Sequence, residues 1–390
     1  AGLASSGATI NSRGTAIEVT PAGGLGVLAN GIAAGSALVT LNNNNVTTTG
    51  TNSFGLKATT NAAGANVSQI TANNTQVQTS GGGGALFIES YNGEASITLN
   101  NSIVKATGAT TGGLVSINNT ASNTNRFTMS GGELSSAGGD AIEAYGGLLN
   151  ATIGNGAQVS SAANLLYVGN GAQAQLTASG NSVLTGDVRV SGVAVNLGTR
   201  VGDCLEEGPG PFVGGPCAVY AAPAAGTPTA DLTLLSGTTW TGASLGATNV
   251  TVNNATWNVT ANSLVTQAIT NAGTVAFTPY AGSYRTLTTT NYVGQSGSLG
   301  LNTYLASDGS PSDLLIINGG TASGSSGLLI NNTGPGAETT GNGIQVVRTI
   351  AGGTTATNAF RLGRAAVAGP YEYELHRGTI DASDPDGWYL

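Results

Sequence analysis

Charge is scarce in this chain. Asp, Glu, Lys and Arg make up 8% of its 390 residues, and there are only two lysines (Lys57 and Lys105), one histidine (His376), one methionine and two cysteines. Long surface helices draw on Glu, Lys, Arg and Leu, so this poverty argues against them. The net charge of -8, with 11 bases scattered along the chain, excludes the clustered basic surface that a phosphate backbone requires, so no nucleic acid is expected as a partner. No apolar run approaches the roughly 20 residues of a membrane-spanning helix. The chain opens on Ala1 without a secretory leader, as a processed end or a chosen boundary does, which is no argument against export.

What is abundant is Gly (62 residues), with Thr, Asn, Ala and Ser, against 40% hydrophobic residues. A disordered chain of this polarity has few aliphatics; here Val, Ile and Leu recur throughout, which implies a core. Gly and Asn suit tight turns, Thr and Val suit short strands, and the reading is all-β.

The two cysteines, Cys204 and Cys217, flank "LEEGPGPFVGGP", a segment that curls back easily. That spacing predicts a local disulfide and an exported protein. Two sulfurs and one distant histidine do not complete a four-ligand zinc site, so no metal and no cofactor are expected.

Self-similarity is the strongest signal. An apolar-Thr-apolar phrase recurs at Thr40, Thr71, Thr98, Thr128, Thr152 and Thr177, spaced 24 to 31 residues apart, and returns more tightly at Thr233, Thr251 and Thr270. Three residues after each of the first six comes a turn former: Asn43, Asn74, Asn101, Gly131, Asn155 and Gly180. Six residues after each Thr, or seven in one case, comes an aliphatic residue: Val46, Val77, Val104, Leu134, Val159 and Val183. Strand alternation turns the aliphatics inward and Thr outward. Coils of this size predict a right-handed parallel β-helix, each coil covering the apolar edge of the last about 4.8 Å away. A β-sandwich would instead require hairpin signals and no fixed column of turn residues.

From about Thr239 onward, "TWTGASLGATNVTVNNATWNV", "YRTLTTTNYVGQSGSLGLNTYLASDGSPSDLLIINGG", "GPYEYEL" and the terminal "WYL" resemble the C-terminal passenger region of pertactin-like, AIDA-type autotransporters of Gram-negative bacteria. The resemblance implies a cell-surface protein, held at the outer membrane or released by cleavage. Its precursor would carry a translocator β-barrel beyond Leu390, and its roughly Ser283–Leu390 region would be an autochaperone-like cap that folds first. Tyr284, Tyr292, Leu299, Leu301, Tyr304, Trp388 and Tyr389 would form the core of that cap. The organisation expected is therefore irregular coils over 1–202, a disulfide-pinned insertion at 203–228, regular short coils over 229–282 and the cap over 283–390.

A catalytic set is hard to assemble. "SDGSPSD" (Ser307 to Asp313) has the wrong order for a serine-protease signature, and His376 is the one available base. "DASDPDG" (Asp381 to Gly387) lacks most of a calcium-loop pattern and reads as an Asp/Pro/Gly turn. The phrase I-E-x-Y occurs at Ile88–Tyr91 and again at Ile142–Tyr145. Aligning coils on the anchor Thr puts Lys57, Glu89, Ser116, Glu143 and Tyr167 in one exposed column, with Glu18 in a preceding coil and Tyr91 and Tyr145 on the same face. This is a candidate adhesive strip, or else a solvated strand face. The expected activity is adhesive and not enzymatic: contact with copies on neighbouring cells, or with a host surface or matrix protein or glycan. The alternatives are a polysaccharide lyase or hydrolase using Glu89 and Glu143, which would stand about 10 Å apart, and a spacer.

Overall fold

The computed structural model describes residues 2–31, 35–60, 66–91, 93–118, 123–192 and 226–390. The expected disulfide, with Cys204 and Cys217, and the expected insertion up to residue 225 lie outside the described residues. The chain divides into two compact units, Ala1–Ala230 and Asp231–Leu390. Both are built from parallel strands stacked as a β-solenoid, with no helix among the described residues.

In the first unit every coil contributes to three parallel sheets. The first sheet runs through Thr9–Arg13, Ala37–Asn42, Asn66–Asn73, the start of Gly93–Ala106, the start of Thr124–Ser136, Leu148–Gly154 and Gln173–Ala178. Its register places Thr40, Thr71, Thr98, Thr128, Thr152 and Thr177 in one column. The sequence phrase is therefore a physical ladder. Val39, Ile70, Ile97 and Phe127 stack inward beside it and are buried. Removing each such side chain from water stabilises the coil by roughly 1.5–3 kcal/mol.

The corner that follows is set by backbone chirality. Asn43, Asn74, Asn101 and Asn155 all have positive φ, from 46° to 56°, and Gly131 and Gly180 take the same place at 68° and 64°. An L-residue in this region costs about 1–2 kcal/mol unless it is Gly or a side chain such as Asn that bonds locally, so the column alternates between these two types.

The second sheet stacks Ile17, Val46, Val77, Val104, Leu134 and Val159 inward. The last member differs from expectation: Leu184, not Val183, pairs with Val159. Leu184 is fully buried, whereas Val183 is exposed. The corner of that coil carries one more residue than the six-residue spacing allows, and one residue reverses the face.

Stacking in register explains the scarcity of charge. Every outward residue has its counterpart in the next coil about 5 Å above and below, so repeated Lys or Glu would meet its own kind at each step. Uncharged Thr and Asn avoid that cost. Asn73 Nδ2 donates to Asn42 Oδ1 at 2.9 Å and Asn100 Nδ2 to Asn73 Oδ1 at 2.8 Å, forming a side-chain ladder beside the threonines. Where charges do occur on these faces they alternate in sign, as in Lys105–Glu133 (3.8 Å) and Arg126–Glu94 (2.9 Å).

The second unit repeats the logic with aromatic layers. Thr233, Thr251 and Thr270 share a column. Trp240 stacks on Trp257 with centroids 4.6 Å apart, and Val275, Leu299 and Leu328 continue that inward column. Trp257 Nε1 donates to the Gly242 carbonyl at 3.0 Å, so the buried indole carries no unsatisfied N–H. At the end of the unit Trp388–Tyr389 adds antiparallel to Gln345–Ile350, which covers part of an otherwise open edge. Of the residues expected in the cap core, Tyr292, Leu299, Leu301, Trp388 and Tyr389 are buried and Tyr284 is half-buried. Tyr304 is not in the core. It stands exposed at 38%, because it follows the strand Thr286–Thr303 into a corner.

Candidate functional site

The third sheet of the first unit holds most of the residues singled out in the sequence. Its strands include Leu25–Gly31, Phe54–Thr60, Gly84–Ser90, Gly112–Asn118, Ile142–Tyr145 and the end of Gln158–Gly169. The register stacks Leu28, Lys57, Phe87, Val115, Glu143, Tyr167 and Arg189 in one column. Two residues along, Asn30, Thr59, Glu89, Ile117, Tyr145 and Gly169 form a second column on the same face.

The expected single column of exposed residues is thus corrected in three ways. Glu89 belongs to the Tyr145 column and not to that of Glu143. Ser116 lies on the opposite face, paired with Ile88 and Ala144. Glu18 is in the second sheet, exposed beside Thr47. The cause is the same for all three: counting from the anchor Thr crosses corners of unequal length, and each unit of error moves a residue along the sheet or through it.

Exposure is corrected as well. Lys57, Glu89, Ser116, Glu143, Tyr145 and Tyr167 are all buried, and Tyr91 is half-buried. Both faces of this sheet are covered. The outer one carries a second apolar cluster of Leu25, Leu28, Phe54, Phe87, Val115, Ile117, Tyr145 and Tyr167. A sequence signal for this existed in "GGALFIES". Consecutive apolar residues mark a strand buried on both sides, where a half-solvated strand would alternate.

Within that face most polar groups are paired, although Glu89 Oε1 is buried without a hydrogen-bond partner. Lys57 Nζ lies 3.4 Å from Glu89 Oε2 and 5.1 Å from the centre of the Phe87 ring. Tyr145 donates its hydroxyl hydrogen to Glu143 Oε2 at 2.6 Å, and its ring packs 5.8 Å from that of Tyr167. Gly112 makes room for this carboxylate, since a Cβ there would come within 2.9 Å of Glu143 Oε1. On the inner side Asn125, invisible as a site in the sequence, ties three coils. Its Nδ2 donates to Ser116 Oγ (2.9 Å), the Ile117 carbonyl (3.0 Å) and the Ile88 carbonyl (3.3 Å), and its Oδ1 accepts from Ser90 Oγ (2.5 Å).

At the leading corners of the same strands a groove of about 520 Å³ runs past Asn52, Gly82, Thr110, Asp140 and Asn164, with Glu143, Tyr167 and Arg189 along it. Asp140 Oδ1 accepts from the backbone N–H of Asn164 (3.0 Å) and from its Nδ2 (2.6 Å). Glu143 borders this groove, but Glu89 does not; it is held in the buried pair with Lys57. The two glutamates therefore do not face one common substrate position. No group of three or more metal-ligating side chains occurs among the described residues.

In the second unit the motifs weighed for catalysis are engaged in hydrogen bonds and ring contacts. The Asp308 carboxylate accepts backbone N–H groups from Thr340 (2.8 Å), Gly341 (2.9 Å) and Gly343 (2.6 Å), and these bonds, that of Thr340 foremost, hold it below the usual carboxylate range. Ser312 shares a buried hydrogen bond with Thr303 at 2.8 Å. His376 stacks on the Tyr389 ring at 5.9 Å. In the Asp/Pro/Gly turn, Asp384 accepts from Gly387 N (2.9 Å) and from the Tyr389 hydroxyl (2.7 Å), while Asp386 pairs with Arg377 and accepts from Thr355 N (2.9 Å).

A family model described as Autochaperone Domain Type 1 matches residues 263–375 of this chain. This is an autotransporter passenger segment with an autochaperone region. The match begins within the coils that precede Ser283, so the autochaperone region takes in the strand Ser263–Phe277. The passenger is similar to the autotransporter adhesin AIDA-I of Escherichia coli, 37% identical over 106 residues, which are 27% of this chain and 8% of that protein. It is also similar to the adhesin BmaC autotransporter of Brucella suis biovar 1 (strain 1330), 32% identical over 108 residues, or 26% of this chain and 3% of that protein. An uncharacterized protein of Escherichia coli strain K12, YdeU, is 34% identical over 100 residues, 26% of this chain and 20% of its own length. The passenger spans only a small part of each of these relatives.

Proposed function

We propose that this chain is the adhesive passenger of a surface autotransporter of a Gram-negative bacterium and meets its partners through the polar ladders on the outer faces of its coils. The observation that carries the reading is the register-true Thr column from Thr40 to Thr177, with the Asn42–Asn73–Asn100 ladder beside it. A flat, repeating, weakly charged face offers many equivalent weak hydrogen bonds, and repetition turns these into avidity without a deep pocket. The names of the relatives, two of them adhesins, support the same reading.

The favoured partner is a second copy on a neighbouring cell, which leads to aggregation and biofilm; host matrix protein or glycan is the other partner class. In the precursor the chain's own translocator β-barrel is a further partner. Lys57, Glu89, Ser116 and Tyr145 contribute here by stiffening the coils, since they are buried. Glu143 and Tyr167 border the groove, and Glu18 and Tyr91 remain candidates for direct contact. The test is to display the chain on cells that otherwise stay dispersed, and to score clumping and attachment to immobilised matrix proteins and glycans. Dispersed cells that attach to nothing would refute the proposal.

A further inference from the structure

The autochaperone region carries a cleft that the ladder reading does not use. It encloses about 450 Å³ between Tyr280 on one side and the corner Asn331, Asn332 and Thr333 on the other. Tyr280 is 40% exposed, although its ring packs 4.6 Å from that of Tyr284. Among the described residues, none of those lining the cleft carries a charge at neutral pH.

Both walls are held rigidly. The guanidinium of Arg285 donates to the Val259 (3.4 Å), Thr260 (3.0 Å) and Pro279 (3.3 Å) carbonyls, to Thr278 Oγ1 (2.5 Å) and to the Thr278 carbonyl, pinning the segment that presents Tyr280. The Tyr284 hydroxyl shares a hydrogen bond with Thr333 Oγ1 at 2.6 Å, which ties one wall to the other. On the far side Asn332 folds its amide onto Gly334, and Arg364 Nη2 donates to Asn331 Oδ1 at 2.6 Å. With its oxygen engaged, the Asn331 amide still has two N–H donors. A large, half-exposed ring fixed in place beside oriented amides is a preorganised arrangement, which lowers the entropic cost of holding a ligand.

We propose that this cleft binds a neutral pyranose unit of a glycan. One face of such a ring presents C–H groups that pack flat on a tyrosine, while its equatorial hydroxyls pair with amides and hydroxyls. The lining residues are themselves uncharged, and the Arg285 and Arg364 guanidiniums behind them are already engaged by protein acceptors, so the cleft suits neutral sugars better than uronic or sialic acids. The volume falls within the range of roughly 300–1,000 Å³ typical of small-ligand sites.

The test is saturation-transfer NMR on the whole chain with tetrasaccharides of glucose, N-acetylglucosamine and mannose, and with tetragalacturonate as the charged comparison. The expected result is transfer to at least one neutral tetrasaccharide with a Kd on the order of 1 mM. That affinity should fall at least about tenfold in Tyr280→Ala and in Asn331→Ala, and be unchanged in Tyr371→Ala, which removes an exposed tyrosine elsewhere. Thermal melting checks that each variant is folded, and two independent cleft variants keep the test open if one is not. Absence of transfer to every neutral sugar, or equal binding by both folded cleft variants, would overturn the assignment. Cell clumping through the ladders should be untouched by Tyr280→Ala, so the two proposals fail separately.

Discussion

Lys57 Nζ and Glu89 Oε2 lie 3.4 Å apart on the covered face of the third sheet, with side chains only 7% and 2% exposed. The pair joins adjacent coils diagonally, because Lys57 stacks under Phe87 while Glu89 stacks over Thr59. Removing one partner strands a buried charge. Glu89→Ala or Lys57→Met should each lower the unfolding free energy of the first unit by about 3 kcal/mol or more. The double replacement Lys57→Met/Glu89→Leu should recover most of that loss. Denaturant unfolding followed by far-UV circular dichroism measures all three. A loss in the double variant equal to the sum of the two single losses would show that the pair is not coupled.

The αL column gives a second prediction. Asn101 has φ 46° in the coil below Gly131, which has φ 68°. Asn101→Gly should leave stability nearly unchanged, whereas Asn101→Ala should cost about 1 kcal/mol, since Ala has neither glycine's freedom nor asparagine's tolerance of the left-handed region. The comparison of melting temperatures between these two variants is the check.

The staple at Asp308 predicts an acid dependence. Its carboxyl is held below the ordinary range by backbone N–H groups, Thr340 first, then Gly343 and Gly341. A depressed folded-state value means that the stabilisation is fully present above the unfolded value of about 4 and disappears as pH falls from there through the folded value. Asp308→Asn should therefore flatten the melting curve of the second unit against pH below about pH 4. Parallel slopes for variant and wild type in that range would count against the staple.

In the second unit, Trp257→Ala should cost about 3–5 kcal/mol, because it opens a cavity beneath Trp240 and leaves the Gly242 carbonyl without its donor. Intrinsic fluorescence during unfolding reads this directly, as the chain holds only 3 tryptophans.

Legibility in the sequence followed distance along the chain. The Thr, Asn and inward aliphatic positions could be aligned because they lie within seven residues of one another, a span in which the 2-residue strand period and one αL corner determine the face. Even there a single extra corner residue exchanged Val183 for Leu184. The third sheet begins after a corner of changing length, so Glu89, Ser116 and Glu18 were assigned to one column and occupy three different ones. Burial of Glu89 and Glu143 was harder still to read. A charged residue reads as exposed unless its partner is known, and Lys57 is 32 residues away in sequence though adjacent in space. Asn125 gave no local signal, because its four hydrogen bonds reach residues on other coils or eight or more positions distant.

The central claim is that the Thr ladder of the first unit is a contact surface. Two cell populations displaying the chain, one wild type and one carrying Thr71→Arg, Thr98→Arg and Thr128→Arg, should be compared for settling from suspension. Wild-type cells should clump and settle, and the variant, displayed in equal amount, should stay dispersed, because a charged column cannot lie against its own copy. Equal settling of the two populations would contradict the account.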